Sequence, residues 1–223
     1  MSSTRILVTD FDGTITANDF YLLVARQYMP RNAPDYWARY ASGGLTHFEA
    51  MQEFFSHTPS DPVRLERLLD ETGPDPQLAA AIARLRGAGW ELIIASAGSD
   101  WYIHRLLGRA GITGVAVYAN PGEIEPGRGL KLRLPEESPF FSADAGIDKA
   151  AIVRDARRRA GTVAFAGDGP PDVEPALLVE PALRYATGWL AAELKRRGEP
   201  FRPFRRWHEI AADLLRDGRY SQK

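Results

Sequence analysis

Four short stretches of the chain hold residue types able to do chemistry on a charged group. Asp10-Phe11-Asp12-Gly13-Thr14-Ile15-Thr16 sets two carboxylates one residue apart, where an apolar run ends at a glycine. Two acids at the end of a buried strand are costly unless a metal or hydrogen-bond donors meet them. In open α/β sheets the carboxyl ends of the strands are also where ligands bind. Gly13 allows a sharp turn and a close backbone approach. Ser96-Ala97-Gly98 offers a hydroxyl and a glycine amide, groups suited to phosphate oxygens. Asp148-Lys149 places an ammonium in the first turn of a helix predicted to continue through Arg157. That cation opposes the helix dipole without a local gain, a pattern associated with functional sites. Gly167-Asp168-Gly169-Pro170-Pro171-Asp172 supplies Asp168 and Asp172 as oxygen ligands for a hard cation. Taken singly, each stretch has a plain alternative. These are an Asx-type turn with two solvated aspartates, a turn after a strand, a surface lysine paired with Asp148, and a turn with capping aspartates.

The elements around these stretches would carry them to one place. Short apolar runs at 5–9, 91–95, 115–119, 162–166 and 183–186 read as buried strands, and three of them end at one of the four stretches. Amphipathic helices lie between them, one of them capped by Asp75 with Pro76 at its first position. Alternating short strands and helices predict an α/β fold with a parallel sheet. Residues 123–134 read as a β-hairpin around Gly127 and Gly129. Residues 17–73 hold no strand-like run and are predicted helical over 19–28, 36–41, 45–57 and 62–71. Thr46 and Glu49 form a capping box there, and Asp61-Pro62 forms a helix start. The expected division is a core of residues 1–16 and 74–223 with a small helical cap, 17–73, inserted after the first strand.

In their order along the chain, the acid pair, the Ser-x-Gly, the lysine and the second acid pair resemble the four signature motifs of the haloacid dehalogenase superfamily. The resemblance runs from Asp10 to Asp172. The helical insertion is similar to the cap of the phosphoserine phosphatase-like branch. DFDGTITANDF at 10–20, SAGSDWYIHRLL at 96–107 and FRRWHEI at 204–210 resemble the 2-hydroxy-3-keto-5-methylthiopentenyl-1-phosphate phosphatases. The GDGPPD form of the fourth motif, with Pro175 beyond it, is also similar to phosphoethanolamine- and phosphocholine-type phosphatases. The superfamily resemblance implies a Rossmann-like core and a magnesium-dependent phosphatase acting on a small phosphorylated metabolite. It implies Asp10 as nucleophile and Asp12 as general acid and then base. Ser96 would bind the phosphoryl group with the Gly98 amide nearby, and Lys149 would neutralise charge on Asp10 and the phosphate. Asp168 would bind Mg2+ together with the Asp10 carboxylate and the Asp12 carbonyl oxygen, with Asp172 ligating or supporting. Phosphoserine phosphatases carry a Glu where this chain has Asp19, so Asp19 either meets a substrate amine or caps the helix at Phe20. Arg39, Trp37, Tyr40 and Phe48 in the cap are candidates for setting specificity. Phosphoserine or phosphoethanolamine hydrolysis, a phosphotransferase and a non-catalytic phosphate-binding module are the competing readings.

Composition narrows the remaining classes. The chain has no cysteine, which excludes disulfides, thiolate catalysis and Cys-ligated zinc. Its net charge of −1 provides no field toward nucleic acid. No apolar run approaches the roughly 18 residues of a membrane span. The first residues lead straight into a strand rather than a signal peptide, so a cytoplasmic protein is expected, a homodimer being possible. The basic stretch at 195–206 reads as a solvated helix end and loop, and the four histidines show no metal-ligand spacing. The lysines are Lys131, Lys149, Lys195 and Lys223 alone among 28 basic residues, which draws attention to Lys149.

Overall fold

The protein is described here from a computed structural model covering residues 4–217. The chain opens with β1 (Arg5–Thr9), then four helices, α1 (Phe20–Tyr28), α2 (Tyr36–Ala41), α3 (His47–Phe55) and α4 (Pro62–Glu71). Next come α5 (Leu78–Gly87), β2 (Trp90–Ser99), α6 (Asp100–Arg109), β3 (Ala116–Asn120) and the hairpin β4 (Gly122–Glu125) and β5 (Gly129–Leu132). Two short strands, β6 (Phe141–Ser142) and β7 (Gly146–Ile147), precede α7 (Lys149–Arg159) and β8 (Thr162–Gly167). The chain continues through α8 (Val173–Leu177), β9 (Arg184–Ala186), α9 (Gly188–Arg197), β10 (Arg202–Pro203) and α10 (Trp207–Asp217).

Six strands form one sheet in the order β10-β9-β8-β1-β2-β3, every neighbouring pair parallel. β1 lies inside this sheet because it is apolar on both faces, as buried parallel strands are. Its side chains alternate. Leu7 joins one core with α5, α6 and α10, while Ile6 and Val8 join a second with α7, α8 and α9. The result is a three-layer α/β/α core, the expected fold class. No helix among the described residues is long and apolar enough to cross a membrane.

α1–α4 sit over the carboxyl end of β1, and an antiparallel bridge between Thr16 and Pro74 joins the two chain segments at their base. The Thr46–Glu49 capping box and the Asp61 cap form as expected, Asp61 accepting from the Arg64 amide at 2.9 Å. Phe20, Leu23, Val24, Met51, Phe55, Leu68 and Leu69 pack into the same cluster as the core helices. Gln52 on α3 pairs with β5 like an extra peptide unit. It donates to the Leu130 carbonyl at 3.2 Å and accepts from the Leu132 amide at 2.6 Å.

Two expectations are corrected here. β2 does not stop at Ala95 but runs to Ser99, its pairing with β3 shifting register between Ala95 and Ser99. A bulge of this kind re-aims side chains at a strand end without ending the strand. α5 begins at Leu78 rather than Pro76, because the Asp75 carboxylate is held by the amides of Gln77 (2.9 Å) and His208 (2.8 Å) instead of capping. The hairpin expected over 123–134 pairs Gly122–Glu125 with Gly129–Leu132. In the basic stretch, Lys195, Arg196 and Arg197 fill the last turn of α9, where cations favour the dipole, and Glu193 pairs with both arginines.

Trp207 fastens α10 to the end of β1. It is fully buried and its indole N–H donates to Thr9 Oγ1 at 3.0 Å, one residue before Asp10. Trp207→Ala is expected to destabilise the fold by about 3–5 kcal/mol, read from urea unfolding. A loss below about 1 kcal/mol would show that α10 is not part of the cooperative core.

Candidate active site

The ends of β1 and β8, the end of β2 and the start of α7 converge on a cleft of about 720 Å³ beneath the cap. Asp10 continues the β1 ladder by one bond, its amide donating to the Ala166 carbonyl at 2.9 Å. Its carboxylate turns into the cleft and is 7% exposed. Lys149, 5% exposed, places its Nζ 2.8 Å from Asp10 Oδ1 and 2.7 Å from Asp172 Oδ1. The alternative of a surface lysine paired with Asp148 is thereby excluded. Asp148 instead caps α7, accepting from the Ala151 amide at 2.9 Å, and so aims the first residue of the helix inward. Asp172 is entirely buried, and its second oxygen accepts from the amides of Asp168 (3.0 Å) and Gly169 (3.1 Å). Both of its oxygens are therefore committed within the protein.

Asp12 is held at two points. Its Oδ1 accepts from the Phe20 amide at 3.0 Å, and its Oδ2 accepts from the Tyr102 hydroxyl. Gly13 adopts φ +68°, and a Cβ there would fall 2.3 Å from Asp168 Oδ2, so only glycine lets the two loops meet. Thr14 donates to Asp168 Oδ1 at 3.1 Å. Ser96 is buried at the end of β2, and its hydroxyl accepts from the Gly98 amide at 3.0 Å.

The cap residues divide. Asp19 precedes α1 but makes no side-chain cap bond, and its carboxylate lines the cleft. Its reading as a helix cap is corrected: its carboxylate accepts no first-turn amide of α1 and lines the cleft, while the Phe20 amide is held by Asp12. Arg39 is also corrected. It is exposed and does not line the cleft. Trp37 and Tyr40, three apart, share the inward face of α2, and Arg39 falls on another. Phe48 likewise packs into the core cluster rather than the cleft. The distal wall is Tyr21, Trp37, Tyr40, His47 and Met51. Of the residues that sequence reasoning passed over, Tyr102 and His47 matter most. Both look like ordinary helix-face residues in the sequence, and no local signal sets them apart.

The charge of the site is one-sided. Burial raises the Asp10 carboxyl well above its ordinary range, Lys149 opposes this, and Asp172 and Asp168 add to it. Burial pushes Asp12 up to about 6, against the hydrogen bonds from Tyr102 and Phe20. Burial, then Asp172 and Asp19, push Asp168 up to about 7. Burial, then Asp12, push Asp19 up to about 7. Burial alone would lower Lys149, but Asp10 and Asp172 hold its ammonium above the usual range. Burial pushes His47 down to about 4, and its Nδ1 has no hydrogen-bond partner. Carboxylate oxygens of Asp10, Asp168 and Asp172 lie within 4.8 Å of one another, and among the described residues Lys149 is the one lysine or arginine lining the cleft. A crowded, under-neutralised, all-oxygen donor set fits a hard divalent cation such as Mg2+.

A parallel sheet that gathers acids at its central strand ends, next to a buried lysine and beneath a helical insertion, marks a class of hydrolase. The chain belongs to the haloacid dehalogenase-like hydrolase family, whose profile matches residues 7–176. In sequence it is similar to a 2-hydroxy-3-keto-5-methylthiopentenyl-1-phosphate phosphatase of Brevibacillus brevis. The two are 23% identical over 213 residues, covering 94% of this chain and 95% of the relative. In fold it is similar to a substrate-bound phosphoserine phosphatase, with TM-score 0.64, 17% identity, and coverage of 94% of this chain and 98% of that one. It is also similar to a haloacid dehalogenase family hydrolase from Salmonella enterica serovar Typhi (TM-score 0.65, 19% identity). That match covers 90% of this chain but only 66% of the Salmonella chain.

The Asp168 carboxyl, raised to about 7, holds a proton that a cation must displace. Because its folded pKa lies above the ordinary one, this group stabilises the metal-free fold in acid. That contribution is lost as pH rises through about 7. Mg2+ is therefore expected to raise Tm more at about pH 7.5 than at about pH 5, and Asp168→Asn to lose most of that rise. An equal rise at both pH values, measured by calorimetry, would place the ion elsewhere.

Proposed function

We propose that this chain is a magnesium-dependent phosphatase that hydrolyses a small phosphorylated metabolite by way of an aspartyl-phosphate on Asp10. The observation that carries the reading is the Lys149 ammonium, 2.8 Å from Asp10 Oδ1 and almost wholly buried beside it. That contact opposes the rise that burial imposes on the Asp10 carboxyl and places a fixed positive charge where a phosphoryl oxygen would arrive. The Asp10 carboxylate, the Asp12 carbonyl oxygen and Asp168 would hold Mg2+, which would supply further positive charge against the phosphoryl oxygens. Asp172 supports the site from behind, since Lys149 and two amides use both its oxygens.

A carboxylate oxygen of Asp10 attacks phosphorus, and the bond from phosphorus to the leaving oxygen breaks. Asp12 gives its proton to that oxygen. Asp12 then takes a proton from water as the water oxygen attacks phosphorus, and the Asp10–phosphorus bond breaks to release phosphate. A group pushed up to about 6 holds and releases a proton near neutral pH, which suits both halves. Ser96 and the Gly98 amide border the phosphoryl position. A dehalogenase has no need of such an acid for a halide leaving group.

The leaving group extends toward Tyr21, Trp37, Tyr40, His47 and Met51. With Arg39 outside and Lys149 committed, no cation waits there for an amino-acid carboxylate. An uncharged leaving group, as in the substrate named for the Brevibacillus brevis relative, fits this wall better than phosphoserine does. Phosphoserine is expected to have the lower kcat/KM by at least about tenfold. Arg39→Ala is expected to leave turnover within about twofold.

Asp10→Asn removes the nucleophile, so no phosphoenzyme should form. Asp12→Asn removes proton transfer, worth about 10²–10⁴-fold. With p-nitrophenyl phosphate, whose leaving group needs little acid, Asp12→Asn should still phosphorylate Asp10 and then stall. Intact-mass spectrometry after brief incubation should show one added phosphoryl group on Asp12→Asn and none on Asp10→Asn. The reverse pattern would exchange the two roles. Phosphate release that requires an added acceptor would make the protein a phosphotransferase.

A further inference from the structure

Tyr102 has a feature that packing alone does not explain. Its ring stacks on Phe20 (4.5 Å between centroids, 10° between planes) and touches Phe11 and Phe55. A phenylalanine would serve all of these contacts. The residue is 1% exposed, and a hydroxyl buried that deeply costs stability unless it is paired. Its partner is Asp12 Oδ2.

The surroundings are shaped around that hydroxyl. β2 passes directly into α6, whose cap Ser99 accepts from the Trp101 amide at 3.2 Å, so Tyr102 stands in the first turn. A Cβ on Gly98 would lie 1.8 Å from the Tyr102 oxygen and 3.0 Å from Asp12 Oδ2. Only glycine at position 98 leaves the hydroxyl a path to the acid. The other Asp12 oxygen is held by the Phe20 amide at 3.0 Å, and Phe20 is the residue stacked on Tyr102. One donor comes from the first cap helix and the other from the core, and their rings brace each other.

We propose that Tyr102 is the positioning residue for Asp12, its hydroxyl fixing the carboxyl rotamer that gives a proton to the leaving oxygen and then takes one from water. This rests on the role of Asp12 given under Proposed function. Without the hydroxyl, Asp12 keeps one donor and gains a rotation about its side chain. A misplacement of about 1 Å can cost about 100-fold in rate. Substrate binding, which Asp12 does not carry, is unaffected.

The test is Tyr102→Phe, which keeps the ring and removes one oxygen. With p-nitrophenyl phosphate and Mg2+, kcat is expected to fall about 10- to 100-fold and KM to fall with it, leaving kcat/KM within about twofold. Hydrolysis becomes the slow step, so intact mass shows the phosphoenzyme accumulating, with Tm close to that of the parent. Gly98→Ala, which pushes the hydroxyl away without removing it, should also accumulate phosphoenzyme, and combining the two should add little further loss. Parent-like turnover in Tyr102→Phe overturns the proposal. So does lost turnover without accumulated phosphoenzyme, or lost turnover in step with a large fall in Tm. If Asp10→Asn retains turnover, the reading of the site itself fails. If Asp10→Asn is inert and Tyr102→Phe is normal, only the role of Tyr102 fails.

Discussion

The site depends on one buried ammonium shared between two carboxylates. Lys149 Nζ sits between Asp10 and Asp172, and those residues come from the ends of two adjacent strands, β1 and β8. Removing either partner would leave a charge in a region closed to water, which typically costs about 3–5 kcal/mol. The contact therefore fixes three separate pieces of chain at once: the end of β1, the loop after β8 and the first turn of α7. The unfavourable placement of a cation at a helix start is offset by this double pairing. The loop from Asp168 to Asp172 is tied back on itself, with two of its own amides on the Asp172 carboxylate. Its stiffness follows from that closure as well as from Pro170 and Pro171.

Close approach is the second recurring device. Carboxylates and hydroxyls occupy volumes that a Cβ would fill, Asp168 against Gly13 and Tyr102 against Gly98. Each such contact brings a polar group nearer to the backbone than any other residue would permit. Gly98 combines two contacts. Its amide is engaged with Ser96 Oγ, and the space beside it admits a hydroxyl that aims Asp12.

What could be read in advance follows from how each feature is encoded. β1 and β8 are short, wholly apolar and buried on both faces, so a run of residue types was enough to locate them. The cap helices carry their own start signals in Thr46 and Asp61. The four motif stretches were legible because strand ends, acids and glycines coincide there. Other features depend on partners distant in sequence. Asp19 could cap α1 or face a substrate, and only the folded chain shows that its carboxylate makes no cap bond and lines the cleft. Arg39 was a fair candidate from its charge, but the phase of a six-residue helix decides which side chains face the cleft, and Trp37 and Tyr40 take that face. β6 and β7 are two residues each, too short for any periodicity. Tyr102 and His47 have roles set by contacts across the cap boundary, and a helix-face aromatic is more often only core.

The acid excess of the cleft bears on how a dianionic ester could enter it at all. Asp10, Asp12, Asp19, Asp168 and Asp172 face a single ammonium that Asp10 and Asp172 already share. A phosphate group approaching the metal-free site meets net negative charge in a low-dielectric setting, where repulsion is strong. A divalent cation reverses that sign locally. The same reversal works the other way, because phosphoryl oxygens add ligands that the protein alone does not supply. On the proposed function the two would bind with positive coupling, and by linkage each would raise the affinity for the other by the same factor. Lys149 alone cannot serve in the cation's place, since its charge is already shared between Asp10 and Asp172. On the proposed function the lysine would oppose protonation of the nucleophile and the cation would admit the substrate, two tasks that one positive group in this cleft could not perform together.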